Sequence, residues 1–542
     1  MTTTGLRSMV GRVARTPSLR RLEGSFAMFA FCEHATWLTI LYFALLEGGP
    51  REVGIVAVLQ LLPGVLLAPF ASYVGDRFAP QRALAFGYGA QCIAFAATAV
   101  LMASDQRIPA YLAASAAATC ITFTRPAMAS LLPAVTHTPS DLVAANVITG
   151  QIEQIGVFGG PVLAGAAMAL WSPWVVFGGA TVAMAIAFVV TIGVRDIEHS
   201  RVVDHVHARD LARQVFAGFA TLRRERRLRV LVLLGAGAGF VKGVGDVIFV
   251  TYADVRLSGS GGISGLLAGA YGVGAFVGAT LVAALARAGR VSRQFLAGAL
   301  MASVPLLALS GIDLLVPAMV GFAVMGAGET VLQLVSGVTV QRESPTSVTS
   351  RVFGILEGLT MGSIAVGSLA VTLLTEWYGL GTAFIILAAV VAAIVIAGVL
   401  RLRSAGGDVA PVDSDVVDRL LADPVFAPLM APTVERLARS AETIDVPAGE
   451  CLVREGETGD RYYLVLDGHA EVTIDGAHVR DLGPGDSFGE VALLRGIPRT
   501  ATVTAREPVH ALAVASDDFI EAVTRHPRSQ RTADATVDRW LG

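Results

Sequence analysis

Charged residues are scarce in this 542-residue chain: Asp, Glu, Lys and Arg make up 16% of it, against about 25% in an ordinary soluble domain. Lysine occurs once, as Lys242. The four cysteines show no metal-ligand spacing and indicate no disulfide framework. Hydrophobic residues reach 54%, and the mean hydropathy is +0.63. These figures exclude a disordered, collagen-like or disulfide-rich secreted chain, and they favour a membrane protein over a soluble enzyme.

The charges that are present are distributed unevenly. Residues 413–542 carry 13 Arg and 23 Asp or Glu, whereas the first 412 residues carry 28 Lys or Arg and 21 Asp or Glu. The net charge of −3 therefore combines +7 on an apolar body with −10 on a polar tail. A basic body suits a lipid bilayer with anionic lipid on one side. The acidic tail argues against a nucleic-acid partner.

Apolar stretches of about 20 residues, the length of a membrane helix, recur along the first 402 residues. Short turns such as Gly48-Gly49-Pro50 separate them, and the longest break, 195–228, divides them six and six. The predicted membrane helices are 23–46, 52–75, 83–103, 108–133, 141–167, 173–194, 229–253, 263–286, 294–312, 315–338, 352–374 and 380–401.

Arginine marks one side of this predicted bundle. Arginines cluster before helix one, after helices two, eight and twelve, and in the central loop, whereas the opposite loops contain only Arg51, Arg107 and Arg256. Because loops rich in Lys and Arg stay in the cytoplasm, both termini are predicted to be cytoplasmic, in a multi-pass protein of the inner (plasma) membrane. The first apolar run contains Glu33 and His34 and is predicted to be a retained helix, not a signal peptide.

The polar tail follows a different pattern. Residues 404–411 are typical of a linker, and a helical stretch follows to about residue 440. Short alternating runs bounded by glycine then predict a small β-barrel or β-roll with helices on either side. The predicted strands are Thr443–Val446, Cys451–Arg454, Tyr462–Leu466, Ala470–Ile474, Thr500–Thr504 and Ala511–Val514, and the closing helices lie around Phe519–Val523 and Arg531–Trp540.

A charged motif follows the second predicted helix. Residues 75–82 read GDRFAPQR. This resembles the G-x-x-x-D-R-x-G-R pattern of the major facilitator superfamily, although Ser72 and Ala79 replace two of its glycines. The resemblance implies that Asp76, Arg77 and Arg82 pair with a neighbouring helix end and latch one conformation. A generic charged turn is the alternative.

The fifth predicted helix carries a second motif. Residues 156–165 read GVFGGPVLAG and resemble the G-x-x-x-G-P-x-x-G-G signature that is common among exporters of the same superfamily. Gly156 and Gly160 would allow close approach of another helix, and Pro161 would bend this one. Close packing without an export role is the alternative. Residues 124–146 are also similar to the branch that contains siderophore and drug exporters.

Ionisable residues inside the predicted spans are candidates for transport, because charge is costly at membrane depth. Lys242 and Asp246 lie four apart and share a helical face. One interpretation is functional: the pair relays protons or binds a charged group of the substrate. The alternative is a structural ion pair. Glu153 and Glu357 each follow a glycine, in predicted helices five and eleven, which is a weak sign of a repeat between the two halves. The full candidate set is Glu33, Arg125, Glu153, Lys242, Asp246, Glu329 and Glu357.

The tail carries the most specific motif. Residues 488–494 read FGEVALL, residues 498–503 read PRTATV, and glycines at turn positions precede them. This pattern resembles the phosphate-binding cassette of cyclic-nucleotide-binding domains, over about residues 413–530. The resemblance implies a phosphate-binding site for cAMP, or for cGMP, rather than a catalytic or metal site. The implied ligand-binding residues are Gly489, Glu490, Val491, Ala492, Arg499, Thr500 and Ala501.

The residue chemistry agrees with that resemblance. Glycine lets the backbone approach a phosphate closely, and amides at a helix start favour an anion. Arg499 offers a delocalised cation with fork-like donors. Glu490 can accept a hydrogen bond from a ribose 2′-hydroxyl, and Thr500 can donate to phosphate or a purine edge. A degenerate β-roll that no longer binds ligand is the alternative.

The combined prediction is an all-α twelve-helix transmembrane bundle of the 6+6 major facilitator type, followed by a cytoplasmic β-roll with flanking helices. The expected function is proton-coupled export of a small amphipathic molecule under cyclic-nucleotide control, without enzymatic activity or bound metal. A lysophospholipid flippase on the same scaffold and a cyclic-nucleotide-gated channel are the alternatives. The predicted parts are an N-terminal segment 1–22, bundles 23–194 and 229–402, a central loop 195–228, a linker 403–412 and a nucleotide-binding domain 413–542.

Overall fold

A computed structural model describes residues 16–77, 80–136, 139–193, 222–288, 291–344, 349–404, 414–429, 431–524 and 529–534. The chain divides into two compact units, Met1–Val409 and Ala410–Gly542. The first unit is helical. Its long helices are α1 Pro17–Arg77, α2 Pro80–Ala103, α3 Arg107–Val135, α4 Pro139–Leu170, α5 Trp174–Ile192, α6 Arg226–Leu257, α7 Gly261–Ala288, α8 Val291–Leu309, α9 Leu315–Glu343, α10 Thr349–Tyr378 and α11 Leu380–Ser404.

Helix α1 contains two of the predicted spans. Its backbone leaves helical geometry at Gly49 (φ 71°, ψ −169°), where two helical arms meet. Glycine tolerates a positive φ, and proline suits the start of a helix, so Gly49-Pro50 produces the break. Counting both arms, the described residues contain twelve long helical segments in this unit. By length and composition, ten described stretches are long and apolar enough to cross a membrane.

Small residues bring the two halves of the bundle together. Helices α4 and α7 approach so closely that a Cβ on Gly265 would lie 2.6 Å from the Cα of Gly165. A Cβ on Gly54 of α1 would meet the Thr372 hydroxyl of α10. Both contacts lie near the ends of these helices that face away from the predicted cytoplasmic side. At Gly150 and Gly354, nearer the other ends, no atom of the described residues lies within 4 Å of where a Cβ would be.

The second unit is a β-roll of two four-stranded antiparallel sheets, ordered β1-β8-β3-β6 and β2-β7-β4-β5. Helices α12 (Ser414–Ala422) and α13 (Ala431–Ser440) precede it, α14 (Glu490–Arg495) interrupts it, and α15 (Ser516–Thr524) follows it. The strands are β1 Glu442–Val446, β2 Cys451–Val453, β3 Arg461–Asp467, β4 Ala470–Ile474, β5 Ala477–Leu482, β6 Ser487–Phe488, β7 Thr502–Ala505 and β8 Val509–Ala515.

Strands β5 and β6 were not among the predicted strands. Strand β5 reads AHVRDL and pairs only with β4, at a sheet edge where most of its side chains are exposed. An exposed edge strand needs no apolar alternation, so its sequence carries little strand signal. Strand β6 has two residues and lies just before the short helix α14. The second closing helix is described at residues 529–534, and Trp540 lies outside the described residues.

Alternation along β3 divides the core of the roll. Tyr462 and Leu464 pack against the flanking helices, whereas Tyr463 and Val465 pack between the sheets. The period of two of a strand sends successive side chains to opposite faces. The hydroxyl of Tyr462 donates a hydrogen bond of 2.6 Å to buried Asp423, in the turn between α12 and α13. This contact ties the helices that precede the roll to its central strand.

We expect Tyr462→Phe to destabilise the tail by about 1–3 kcal/mol, because it leaves a buried carboxylate oxygen of Asp423 without its partner. Denaturant unfolding of residues 410–542 measures this change. Tyr463→Phe removes the neighbouring hydroxyl, on the opposite face of the strand, and serves as the control. Equal midpoints for the two variants would contradict the assigned role of the Tyr462 hydroxyl.

Candidate functional site

Arg499 is held at the centre of the predicted nucleotide site. Its Nη1 donates to the Gly489 carbonyl at 2.9 Å, and its Nη2 donates to the Arg461 carbonyl at 2.7 Å. The guanidinium lies 5.9 Å from the centre of the Tyr463 ring, and its Nη2 is 3.7 Å from an Asp460 carboxylate oxygen. The side chain is only 4% exposed. These contacts pre-orient a cation inside the roll.

Gly489 and Glu490 form the other side of this nucleotide pocket. Gly489 has φ 95° and precedes α14, a conformation that favours glycine. A Cβ there would lie 2.6 Å from Nη1 of Arg499, so a larger residue would displace the guanidinium. Glu490 opens α14 and is 5% exposed. The strand–turn–helix connection therefore places a buried carboxylate within electrostatic range of the buried Arg499 cation.

Burial sets the electrostatics of this pocket. Desolvation lowers the pKa of the Arg499 guanidinium from its ordinary value and raises the pKa of the Glu490 carboxyl. Both shifts mean that the pocket disfavours the charged form of each group. An anion beside Arg499 would compensate its charge, and a hydroxyl donor would do the same for Glu490.

The remaining predicted nucleotide residues surround these two. Val491 and Ala492 are buried in α14, and Thr500 and Ala501 are half-buried just before β7. The backbone of Arg499 bonds with the loop 456–458, through Gly456 and Glu457, so this loop is tied to the pocket. The structure thus brings the seven predicted residues to one region of the roll. It adds the carbonyl of Arg461, which residue chemistry alone does not reveal.

The predicted transport residues of the N-terminal half meet around Arg125. Its Nη2 donates to Glu33 of α1 at 2.6 Å and to Glu153 of α4 at 2.8 Å. The Nε2 of His34 is 3.8 Å from Glu153. The Arg125 side chain is 41% exposed although it lies well inside α3. It therefore borders a space between helices, and one cation holds two carboxylates from different helices.

The predicted residues of the C-terminal half form a looser group. Lys242 Nζ and Asp246 Oδ1 lie 4.0 Å apart on α6, beyond hydrogen-bonding distance. Glu329 of α9 is 5% exposed and is within electrostatic range of both. Its carboxylate accepts a long bond of 3.4 Å from the Thr330 hydroxyl. These acids are poorly compensated compared with those around Arg125.

The two groups face each other across the bundle. Lys242 is within electrostatic range of Glu33 and Arg125, and Asp246 is within range of His34. We call these seven residues the central charge cluster: Glu33, His34, Arg125, Glu153, Lys242, Asp246 and Glu329. Six were predicted from sequence, whereas His34 was not, because a histidine beside a glutamate carries no distinctive spacing.

Glu357 does not join the cluster. Its side chain on α10 is exposed, and no ion pair or hydrogen bond to it occurs among the described residues. The similar spacing of Glu153 on α4 and Glu357 on α10 therefore does not place the two side chains in a shared environment. Repeated spacing aligns positions within each half, but rotation of a helix decides which side chains face inward.

The glycines of the predicted exporter motif lie on α4, where they let α1 approach closely. A Cβ on Gly156 would lie 2.9 Å from that of Ala30, and one on Gly160 would lie 2.7 Å from the Phe31 carbonyl, both on α1. Pro161 lies inside α4. Asp76 and Arg77 end α1 without described side chains, and Arg82 is exposed at the start of α2. The predicted latch, which depends on the side chains of Asp76 and Arg77, therefore stays a prediction.

One group in the described part of the chain has the composition of a metal site. Ligand atoms of Glu33, His34 and Glu153 all lie within 4.8 Å of one another. Arg125 already donates to both carboxylates, and a cation would have to compete with it. The arrangement fits an internal ion-pair network better than a resident metal.

Comparison with known proteins identifies both units. Residues 13–428 match the family described as transmembrane secretion effector, and residues 443–526 match the cyclic nucleotide-binding domain. A crystal structure of the nucleoside transporter NupG superimposes with a TM-score of 0.61, at 13% identity, covering 71% of this chain and 99% of that one. At that identity the likeness shows the fold alone.

Curated relatives match the tail. A cyclic nucleotide-gated potassium channel of Mesorhizobium japonicum is 40% identical over 98 residues, 18% of this chain and 27% of the channel. A cAMP-dependent protein kinase regulatory subunit of Yarrowia lipolytica is 41% identical over 98 residues, 18% of this chain and 26% of the subunit. A cGMP-dependent protein kinase of Eimeria tenella is 45% identical over 69 residues, 13% of this chain and 7% of the kinase.

The chain spans about a quarter of the length of the first two of these relatives and less of the third. What they share with it is the nucleotide-binding unit. The body match instead covers most of the chain, and its helical order agrees with a 6+6 bundle. The predicted fold class is therefore confirmed. The chain belongs to the transmembrane secretion effector family of major facilitator transporters, and it carries a cyclic nucleotide-binding domain at its C-terminal end.

Proposed function

We propose that this protein is a proton-coupled exporter of a small amphipathic molecule, regulated by cAMP binding to its tail. The observation that carries the transport part is the central charge cluster. Ionisable side chains from both halves of the bundle lie within electrostatic range of one another, as Lys242 does with Glu33. A transporter that rocks one half against the other around a central site changes such distances in every cycle.

Proton coupling follows from the excess of acids in the cluster. Four carboxylates face two permanent cations, Arg125 and Lys242, and one histidine. Removal of Lys242 from the neighbourhood of Asp246 or Glu329 would leave a buried acid that binds a proton more readily. A change of partner between the two halves would therefore release a proton on one side and bind it on the other.

The transport proposal is tested with full-length protein in proteoliposomes. Metabolites that accumulate in cells lacking the protein supply the candidate substrates. Each is then added under an imposed pH gradient while internal pH is recorded. Substrate-dependent proton movement supports the exporter, whereas head-group-specific lipid movement without proton flux would favour the flippase instead.

Regulation by nucleotide is supported by the nucleotide pocket and by the relatives of the tail. A ligand shifts a carrier between conformations only if it binds them with different affinity. The coupling is reciprocal, so a transported substrate must change cAMP affinity by the same factor. Typical coupling energies of about 1–3 kcal/mol correspond to roughly 5- to 150-fold.

We expect saturating cAMP to change the transport rate of the full-length protein severalfold. Proteoliposomes with and without cAMP on the tail side give the measurement, and an Arg499→Ala protein gives the matched control. Equal rates in both conditions, in protein whose tail binds cAMP by calorimetry, would reject gating and leave the tail as a nucleotide-binding tether.

A further inference from the structure

Tyr271 of α7 occupies the junction of three helices in the C-terminal half. A Cβ on Gly245 of α6 would lie 3.3 Å from its ring, and one on Gly326 of α9 would lie 2.1 Å from its carbonyl and 3.1 Å from its ring. Gly245 adjoins Asp246, and Gly326 lies one turn before Glu329. Glycine at these two positions makes room for an aromatic ring within electrostatic range of both acids.

The Tyr271 hydroxyl has no hydrogen-bond partner among the described residues, although the residue is only 5% exposed. It is within electrostatic range of Glu329 and Asp246. A buried hydroxyl without a partner costs about 1–3 kcal/mol, so such groups are rare unless a ligand completes them. The indole N–H of Trp37 lies beside Asp246, so it is a second polar group at this corner of the bundle.

This corner of the bundle holds more acids than cations. Asp246 and Glu329 share one ammonium group, that of Lys242, whereas Arg125 is occupied by Glu33 and Glu153. The ring of Phe249 packs edge-to-face at 5.1 Å from that of Tyr271, so this corner contains two aromatic rings as well as the two acids. Aromatic faces attract cations, and most strongly where water is excluded.

We propose that Asp246, Glu329 and Tyr271 form the binding site for a protonated amine on the transported substrate. The ammonium N–H groups would donate to the two carboxylates, and the Tyr271 hydroxyl would gain its missing partner from the same group. This inference rests on the proposed transport function and names the chemical class of the substrate, an amphipathic organic amine.

Equilibrium binding of three dyes that share a xanthene ring system tests the assignment. Full-length protein in nanodiscs is titrated with each dye, and fluorescence anisotropy is compared with that of empty nanodiscs. Rhodamine 123 is a cation with N–H donors, tetramethylrhodamine methyl ester is a cation without them, and fluorescein is an anion. Rhodamine 123 should bind at least tenfold more tightly than fluorescein, with the N-methylated dye between them.

Tyr271→Phe and Glu329→Gln should each weaken rhodamine 123 binding at least tenfold. Tyr378→Phe and Glu376→Gln make the same chemical changes at exposed positions of α10 and should leave it unchanged. Thermal unfolding without dye identifies variants that fail to fold. Asp246→Asn removes the charge of the other acid at nearly unchanged size, should weaken rhodamine 123 binding to the same extent, and then replaces such a variant.

Fluorescein binding as tight as rhodamine 123 binding would overturn the proposal, as would unchanged rhodamine binding in both site variants or no binding of either cationic dye. These outcomes differ from failure of the transport function, because the titration uses no ion gradient. A protein that moves protons with an anionic substrate would keep the function and lose the amine site.

Discussion

Replacing Arg499 with alanine is expected to reduce cAMP affinity of the tail by about 2–3 kcal/mol, or roughly 30- to 150-fold. The guanidinium is the buried cation of the nucleotide pocket, and charge-assisted hydrogen bonds are worth about 1.5–3 kcal/mol. Its fork geometry already satisfies the Gly489 and Arg461 carbonyls, which leaves the group oriented before the phosphate arrives. Calorimetry of residues 410–542 with cAMP and with cGMP measures the effect.

Two further variants separate the contributions to this effect. Arg499→Lys keeps the positive charge and loses the fork, so it should fall between wild type and alanine. Arg506→Ala removes an arginine that pairs with Glu471 and Asp481 at the surface of the roll, and it should bind normally. If folded wild-type protein gives no heat with either nucleotide, the pocket does not bind cyclic nucleotides.

Replacing Lys242 with alanine is expected to abolish coupled transport while the protein still inserts into the membrane. The ammonium lies 4.0 Å from Asp246 and within electrostatic range of Glu329 in the central charge cluster. Its loss leaves both carboxylates uncompensated, so they would hold protons throughout the cycle. Proteoliposomes under an imposed pH gradient, loaded with the substrate found by metabolite comparison, report both substrate and proton movement.

The same helix supplies the control for Lys242. Arg229 lies exposed near the start of α6, and Arg229→Ala should transport normally. The double variant Lys242→Ala/Asp246→Ala removes the pair together, so no Asp246 carboxylate remains without its ammonium partner. Normal transport by the double variant would exclude the pair from the mechanism, and loss of folded protein in each single variant with recovery in the double would mark a structural ion pair.

Hydropathy and turn residues were sufficient to predict the helices of the body. Gly49-Pro50 breaks α1 where the sequence places a turn, because this pair combines a permitted positive φ with a residue that suits a helix start. The helices extend past the predicted spans, as α4 does by two or three residues at each end, because backbone bonding continues beyond the apolar stretch. In the tail, the sequence pattern predicts the strands with alternating burial but not the exposed edge strand β5.

Local sequence also determined the nucleotide pocket, because its residues lie within one strand–turn–helix–strand segment, and short-range geometry brings Gly489, Glu490 and Arg499 together. The central charge cluster depended on tertiary structure. Arg125 joins Glu33, 92 residues away, to Glu153, 28 residues away. Glu357 has a similar sequence context but faces elsewhere. A charge inside a span indicates that a partner is needed, and only helix rotation and packing decide which partner is reached. For the same reason the unpaired hydroxyl of Tyr271 became visible only once Gly245 and Gly326 had brought three helices around it.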